Sequence, residues 1–401
     1  MNNTIAVLTS GGDCGGLNAV VKGAALMAKS LGIKVFAIKN GYAGLYNLEN
    51  ENNITELTDR HIDDIDILAA GSKIGNSRVK ISKIDDAKKY EKIKRNLKAR
   101  GITGLIISGG DDTGSVVLDL VKQGIPCVHA PKTMDLDLMT YSVGGDSAVN
   151  NIASEIRALK TTGFSHNRVI VVEAFGRYAG HTSFLGGIAG QADAILLPEV
   201  AVDIDAVYEH MKQRFLKRLT TSEFMESTYI IVASEGLRID NALITDDSLG
   251  SDAFGHKKTT GIAKYIRDEL SRRLSDDVDF EAAYKRLGLY VEGMNVRPEV
   301  RDTAPGYLIR SGNTSAYDAF FGISIGAGAV MLINQGIYGV TVSGIDNGTV
   351  CYCSTEEIVK QRFVAKEMIE IYEQLGVCFG RYPIDKKTEI QTADKTVWKY
   401  F

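Results

Sequence analysis

The sequence predicts an α/β protein of mostly parallel strands flanked by helices. Three observations carry that prediction. Short β-branched runs alternate with helix-like segments, glycines cluster where those runs end, and the chain is long enough for two domains or one large α/β unit. Of 401 residues, 41 are glycine and only 6 are proline, so the chain spends its special residues on glycine loops.

The elements follow in order. Met1–Thr9 reads as a buried strand, Ser10–Gly16 as a loop, Leu17–Leu31 as a helix and Ile33–Ile38 as a second strand. The pattern recurs with strand Gly104–Ser108, loop Gly109–Asp112, helix Thr113–Lys122 and strand Pro126–Ala130. A polar loop, Pro131–Tyr141, leads to a helix about Ser147–Leu159 and strand Arg168–Glu173. Ala194–Leu197 and Tyr229–Ala233 are further short apolar strands. Gly236–Thr260, rich in Asp, Ser and Gly, reads as a surface excursion, and the chain past Thr355 as a helix with an irregular polar end. No tandem repeat or proline-rich linker marks a domain boundary.

Composition narrows the function. A net charge of −4 with scattered Lys and Arg gives no reason to expect a nucleic-acid partner or an anionic-membrane surface. Cys14, Cys127, Cys351, Cys353 and Cys378 form no C-x-x-C pair, so reduced thiols and a cytoplasmic location are expected. No export signal is read at the N-terminus, and no membrane span is expected, because no stretch reaches eighteen uninterrupted apolar residues.

In such folds ligands sit outside the carboxyl ends of the strands. Thr9-Ser10-Gly11-Gly12-Asp13-Cys14-Gly15-Gly16 lies there, where glycines and a helix N-terminus can receive an anion. It is neither a Walker A loop nor a dinucleotide fingerprint, and a plain glycine turn is the alternative. Ser108-Gly109-Gly110-Asp111-Asp112-Thr113 offers two carboxylates at a helix start, suited to capping the helix or to holding Mg²⁺. Pro131-Lys132-Thr133-Met134-Asp135-Leu136-Asp137 offers a cation, a hydroxyl and two alternating carboxylates, which would point the same way in an extended loop; a solvated polar loop is the alternative. Arg78, Arg168, Arg177, Arg301 and Arg310 lie beside glycines or at strand ends, and several guanidinium forks suggest a phosphorylated substrate. The histidines show no metal-ligand spacing, and there is no nucleophile elbow or triad.

Taken together, these loops resemble the phosphofructokinase family over roughly residues 4–330. The resemblance rests on Leu8-Thr9-Ser10-Gly11-Gly12-Asp13, Gly109-Gly110-Asp111, Pro131-Lys132-Thr133-Met134-Asp135 and Phe175-Gly176-Arg177-Tyr178-Ala179-Gly180. It also rests on Ala192-Asp193-Ala194-Ile195-Leu196-Leu197-Pro198-Glu199, Ser234-Glu235-Gly236 and Gly306-Tyr307-Leu308-Ile309-Arg310, in this order and spacing. The resemblance implies two Rossmann-like three-layer α/β/α domains with mostly parallel sheets and the active site in the cleft between them. Residues 1–147 with about 309–355 would form the phosphoryl-donor domain, and 148–308 with about 356–401 the sugar-phosphate domain.

By that resemblance Asp135 is the base for the sugar C1 hydroxyl, with Lys132 and Arg177 beside it in the catalytic set. Asp111 matches the Mg²⁺ aspartate, Asp137 its loop partner, and Thr133 a contact to the substrate or the transferred group. Phe175, Gly176, Arg177, Glu235, Tyr307 and Arg310 match the sugar-phosphate site, and Arg168 and Arg301 match arginines that reach it across a subunit interface. Gly11, Gly12, Arg78, Gly110, Asp112, Thr113 and Lys132 match the donor side. A homodimer or homotetramer with shared sites is the implied assembly.

Family members that use ATP resemble G-G-D-G and P-G-T, and pyrophosphate users resemble G-G-D-D and P-K-T. This chain has Asp112 and Lys132. A carboxylate in place of glycine crowds and charges the space of a nucleotide α-phosphate, and a lysine suits a compact polyanion. The expected reaction is Mg²⁺-dependent transfer from pyrophosphate to fructose 6-phosphate. ATP as donor, sedoheptulose 7-phosphate as acceptor and a non-catalytic sugar-phosphate sensor are the alternatives. Two departures lie beside the acceptor: D-N-D becomes Asp135-Leu136-Asp137, and G-F-D-T-A becomes Gly144-Gly145-Asp146-Ser147-Ala148.

Overall fold

A computed structural model of the chain describes residues 4–239, 242–243, 261–384, 390 and 392. Most of the expected 236–260 excursion lies outside the described residues, as does much of the polar end. Thirteen strands are described: β1 (Thr4–Thr9), β2 (Lys34–Ile38), β3 (Ile54–Glu56), β4 (Ile102–Gly109), β5 (Cys127–Pro131), β6 (Arg168–Ala174), β7 (Ala194–Leu196), β8 (Tyr229–Ser234), β9 (Arg238–Ile239), β10 (Ala242–Leu243), β11 (Glu299–Thr303), β12 (Val340–Asp346) and β13 (Thr349–Ser354).

They form a seven-stranded sheet in the order β13-β12-β5-β4-β1-β2-β3, a four-stranded sheet in the order β11-β6-β8-β7, and the small β9–β10 pair. The four-stranded sheet is parallel throughout. The larger sheet is parallel from β12 to β2 and antiparallel at both edges.

Alternation along each strand divides the core into layers. Ile5 and Val7 enter one apolar cluster with helices Leu17–Ser30 and Ala316–Asn334, whereas Ala6 and Leu8 enter another on the opposite face. In the smaller sheet, Val169, Val171 and Ile231 face helices Ile204–Thr221 and Ile262–Ser275. Ile170, Val172 and Ile230 face helix Gly145–His166. Each sheet is therefore covered by helices on both faces, which explains why its strands read as continuous apolar runs.

Several elements escaped the sequence reading, among them helix Ala316–Asn334 and the β12–β13 hairpin. Helix Ala316–Asn334 is long and apolar enough to cross a membrane by length and composition, yet it is mostly buried inside the fold. Its Gly326 backbone lies so close to helix Leu17–Ser30 that a Cβ there would meet Ala24 N at 2.9 Å. The β12–β13 hairpin turns at Asn347-Gly348, both with positive φ, a two-residue signal present in the sequence.

Candidate active site

The carboxyl ends of strands from both sheets face one another. β1, β4 and β5 deliver the loops at Gly11–Cys14, Gly110–Thr113 and Lys132–Asp137; β6, β8 and β11 deliver Phe175–Tyr178, Glu235 and Ala304–Arg310. Between them lies a cleft of about 460 Å³, a volume typical of small-molecule sites. Cys14 and Met134, from loops of the larger sheet, pack into the apolar cluster of the smaller one, so the two walls share a floor.

The first wall is held by backbone bonds. Gly11, at φ 84°, donates to Ser77 O at 3.0 Å, and Ser10 N donates to Ser108 O at 2.8 Å. Thr9 Oγ1 pairs with Ser72 Oγ at 2.7 Å, tying the segment before Arg78 to the same loop. Behind β4, neutral His129 donates from Nε2 to Gly109 O at 2.8 Å while Nδ1 pairs with Thr341 Oγ1; burial pushes its pKa down to about 4.

Lys132 is buried, and its ammonium donates to Gly12 O. Burial lowers its pKa, opposed by Asp135 and Asp13 among its neighbours, with Arg310 adding to the lowering. Thr113 is buried beside Gly11. Asp111 and Asp112 do not cap their helix: Gly110 holds the cap position, and the two carboxylates occupy the first turn of Asp111–Lys122. They act there on the helix dipole. Asp112 pairs with Lys80 at 3.3 Å.

The Asp135 loop is not extended, which corrects the expectation of alternating side chains. Leu136 sits at φ 56°, a left-handed conformation that costs an L-residue about 1–2 kcal/mol and that asparagine tolerates better. The family's D-N-D pattern suits this turn better than Leu136 does. Packing compensates: Leu136 is buried against the start of helix Gly145–His166, where a Cβ on Gly145 would come within 2.5 Å of Leu136 Cγ. The two departures from the family pattern are one packing event, a larger side chain at 136 filling the space a side chain at 145 would take.

Thr133 Oγ1 accepts from Asp135 N at 3.1 Å, so the hydroxyl braces the loop. Burial and the neighbouring Asp111 push the Asp135 carboxyl up, against Lys132, Arg177 and Arg310. Asp137 is pushed up to about 7 by burial and by Asp135 and Asp111. Glu235, across the cleft, is pushed up to about 8 by burial and Asp135, against Arg177. These carboxyls crowd one site and compete for protons.

On the second wall Gly176 O accepts from Gly236 N at 3.1 Å, joining the two strand-end loops. Arg310 lies between the walls: its guanidinium is 4.8 Å from the Tyr307 ring, it pairs with Asp13 at 3.3 Å, and Nη1 flanks Gly12. The structure thus brings Arg310 as close to the first loop as to the sugar-phosphate group of residues.

Of the residues singled out from sequence, Gly11, Gly12, Arg78, Gly110, Asp111, Asp112, Thr113, Lys132, Thr133, Asp135, Asp137, Phe175, Arg177, Glu235, Tyr307 and Arg310 line the cleft. Gly176 supports it from behind. Arg168 and Arg301 do not line this chain's cleft: both pair with Glu299 on the adjacent strands β6 and β11, the latter an edge strand. Sequence reasoning missed Glu173, whose carboxylate accepts from Gly261 N and Ala263 N at a helix start, and Arg362, which reaches the Asp135 loop from the C-terminal segment. Neither carries a local signal, because each acts on backbone distant in sequence.

The cleft offers hard carboxylate oxygens at Asp111, Asp135 and Asp137, and burial holds the Cys14 thiol protonated with a pKa of about 12. Among the described residues no cluster of three or more His, Cys, Asp or Glu side chains could hold a metal by itself. That donor set fits Mg²⁺, which takes one or two carboxylates and completes its shell with phosphate and water oxygens.

Comparison with known proteins gives the same answer as the loops. A pyrophosphate--fructose 6-phosphate 1-phosphotransferase of Dictyoglomus thermophilum is 32% identical over 343 residues, 84% of this chain and 88% of the relative. An ATP-dependent 6-phosphofructokinase 2 of Clostridium perfringens is 32% identical over 394 residues, 94% of this chain and 98% of the relative. The solved pyrophosphate-dependent phosphofructokinase from Marinobacter aquaeolei shares the fold with a TM-score of 0.69 at 19% identity, covering 100% of this chain and 99% of that one. The phosphofructokinase family model matches residues 4–333, and the chain belongs to the phosphofructokinase family.

Proposed function

We propose that the protein transfers a phosphoryl group from pyrophosphate to the C1 hydroxyl of fructose 6-phosphate. Relatives of equal similarity are named for pyrophosphate and for ATP, so the donor must be argued from this chain's residues. The observation that carries the reading is that a buried Lys132 and the carboxylate of Asp112 both line the donor side of the cleft. A buried ammonium whose bonded partner is a carbonyl costs several kcal/mol that an arriving polyanion would offset. Asp112, on the first helical turn, places negative charge where a nucleotide would extend.

The residues then take their roles. Asp135, with its raised proton affinity, accepts the proton of the C1 hydroxyl as that oxygen attacks one phosphorus of pyrophosphate; the bridging P–O bond to that phosphorus breaks and the other half leaves as orthophosphate. Lys132, Arg78 and Arg310 offset the charge that spreads over the transferred group. Arg177, Tyr307 and Glu235 orient the sugar phosphate. Mg²⁺, held by Asp111 and the donor oxygens, would supply further charge neutralisation. Positioning and electrostatics supply most of the rate in such transfers. Exchange of a phosphoanhydride for an ester leaves the reaction near balance, so both directions should be measurable.

The separate helix-covered sheets support the division into 1–147 with about 309–355 and 148–308 with about 356–401. Arg168 and Arg301, partly exposed beside the β11 edge, would complete a neighbouring subunit's site in a dimer or tetramer. The test is a panel of pyrophosphate, ATP and ADP against fructose 6-phosphate and sedoheptulose 7-phosphate, with bisphosphate product identified directly. Turnover with pyrophosphate and fructose 6-phosphate is expected. Efficient turnover only with ATP would overturn the donor, turnover only with the heptulose the acceptor, and binding without turnover the reaction itself.

A further inference from the structure

The segment after β13 passes beside the Asp135–Asp137 loop. Met139 N donates to Ile358 O at 3.0 Å, and Arg362 N donates to Asp137 O at 2.7 Å. The Arg362 guanidinium donates from Nη2 to Leu136 O at 2.6 Å. This segment is itself fixed from the smaller sheet's side: His181 Nε2 donates to Arg362 O at 3.2 Å, and Val364 N donates to Glu199 Oε1 at 2.9 Å.

The loop needs such support. Leu136 is left-handed without being glycine or asparagine, and an unfavourable backbone conformation persists only where surroundings over-determine it. Its side chain is held by the contact with Gly145, and its carbonyl by Arg362. Asp135 and Asp137 flank that one residue, so a rotation at Leu136 would re-aim both carboxylates.

We propose that Arg362 is a positioning residue for phosphoryl transfer, fixing the Leu136 carbonyl so that Asp135 and Asp137 meet the reacting groups. Arg362 does not line the cleft and acts through the loop backbone. The inference rests on the reading of Asp135 as the base, and it assigns a catalytic task to a segment remote from every motif that signals the family.

The test uses Arg362→Met, Arg362→Lys, Gly145→Ala and Asp135→Asn in the full-length protein, with rates normalised to folded enzyme. Arg362→Met should lower kcat by about 10–100-fold while KM for both substrates stays within about twofold, as expected for a displaced reacting group. Arg362→Lys, which keeps one donor, should recover part of that loss. Gly145→Ala, which pushes on Leu136 from the other side, should give the same kcat-selective defect. Adding Arg362→Met to Asp135→Asn should cost little more, because both act on one group.

Unchanged kcat in Arg362→Met, or full additivity with an impaired Asp135→Asn, would overturn the positioning role while leaving the base assignment intact. Wild-type turnover in Asp135→Asn would overturn both. Should Arg362→Met fail to fold, Arg362→Lys and Gly145→Ala still decide: wild-type kcat in both contradicts the proposal, and a kcat-selective loss supports it.

Discussion

The two walls of the cleft are built differently. The donor wall is held by backbone: Gly11, Ser10 and Gly109 are pinned through Ser77, Ser108 and His129, and its buried cation, Lys132, bonds to a carbonyl. The opposite wall presents side chains from strand ends, among them Arg177, Glu235 and the largely exposed Tyr307. A wall of fixed dipoles suits a small donor of constant shape. A wall of longer side chains suits a larger, more varied acceptor. On the proposed reading this difference locates selectivity: a few rigid positions would choose the donor, and many adjustable ones the acceptor.

The largest effect of a substitution should come where the walls meet. Asp135→Asn should reduce kcat by about 10²–10⁴-fold with little change in sugar-phosphate affinity, as steady-state kinetics would show. Retention of half the activity would contradict its role.

On the acceptor side the expected losses are smaller. Arg168→Ala and Arg301→Ala should each raise KM for the sugar phosphate by about tenfold, the scale of one charge-assisted hydrogen bond, and leave the donor KM unchanged. Hybrid oligomers of either variant with Asp135→Asn should regain partial activity if these arginines serve a neighbouring site. A fully active monomer would contradict that arrangement.

The smallest effect concerns stability. Glu235 is pushed from 4.5 to about 8, so the folded state holds a proton that the unfolded chain releases. Stability with respect to this group is full below pH 4.5 and is lost as pH rises toward 8. Glu235→Gln should therefore raise the melting temperature more at pH 8 than at pH 5, by about 2–4 °C for each kcal/mol of relieved cost. A shift that is constant with pH would show that burial at Glu235 carries no such cost.

The sequence made the strand-end loops legible because glycines, charges and apolar runs fall at local spacings, as in Thr9–Gly16 and Gly109–Asp112. The fold class follows from the same pattern. The helix holding Asp111 and Asp112 starts two residues before the expected Thr113, because a capping glycine has no side chain to announce it. The reversal at Leu136 was hidden, since the packing that compensates for it is against Gly145, nine positions later. Helix Ala316–Asn334 is apolar around most of its circumference and shows little helical periodicity. Arg362 lies 226 residues from the carbonyl it holds, a contact made by the fold alone.

Whether Asp112 and Lys132 select the donor is tested by one ratio: kcat/KM for pyrophosphate over that for ATP, in wild type, Lys132→Ala, and the Asp112→Gly/Lys132→Gly double variant. The wild-type ratio should exceed one. Lys132→Ala should lose pyrophosphate use without gaining good ATP use, because Asp112 still obstructs the nucleotide. The double variant should shift the ratio toward ATP, and the two changes need not add, since both act on one donor. A wild-type ratio below one would contradict the donor assignment, and an unchanged ratio in the double variant would contradict its cause.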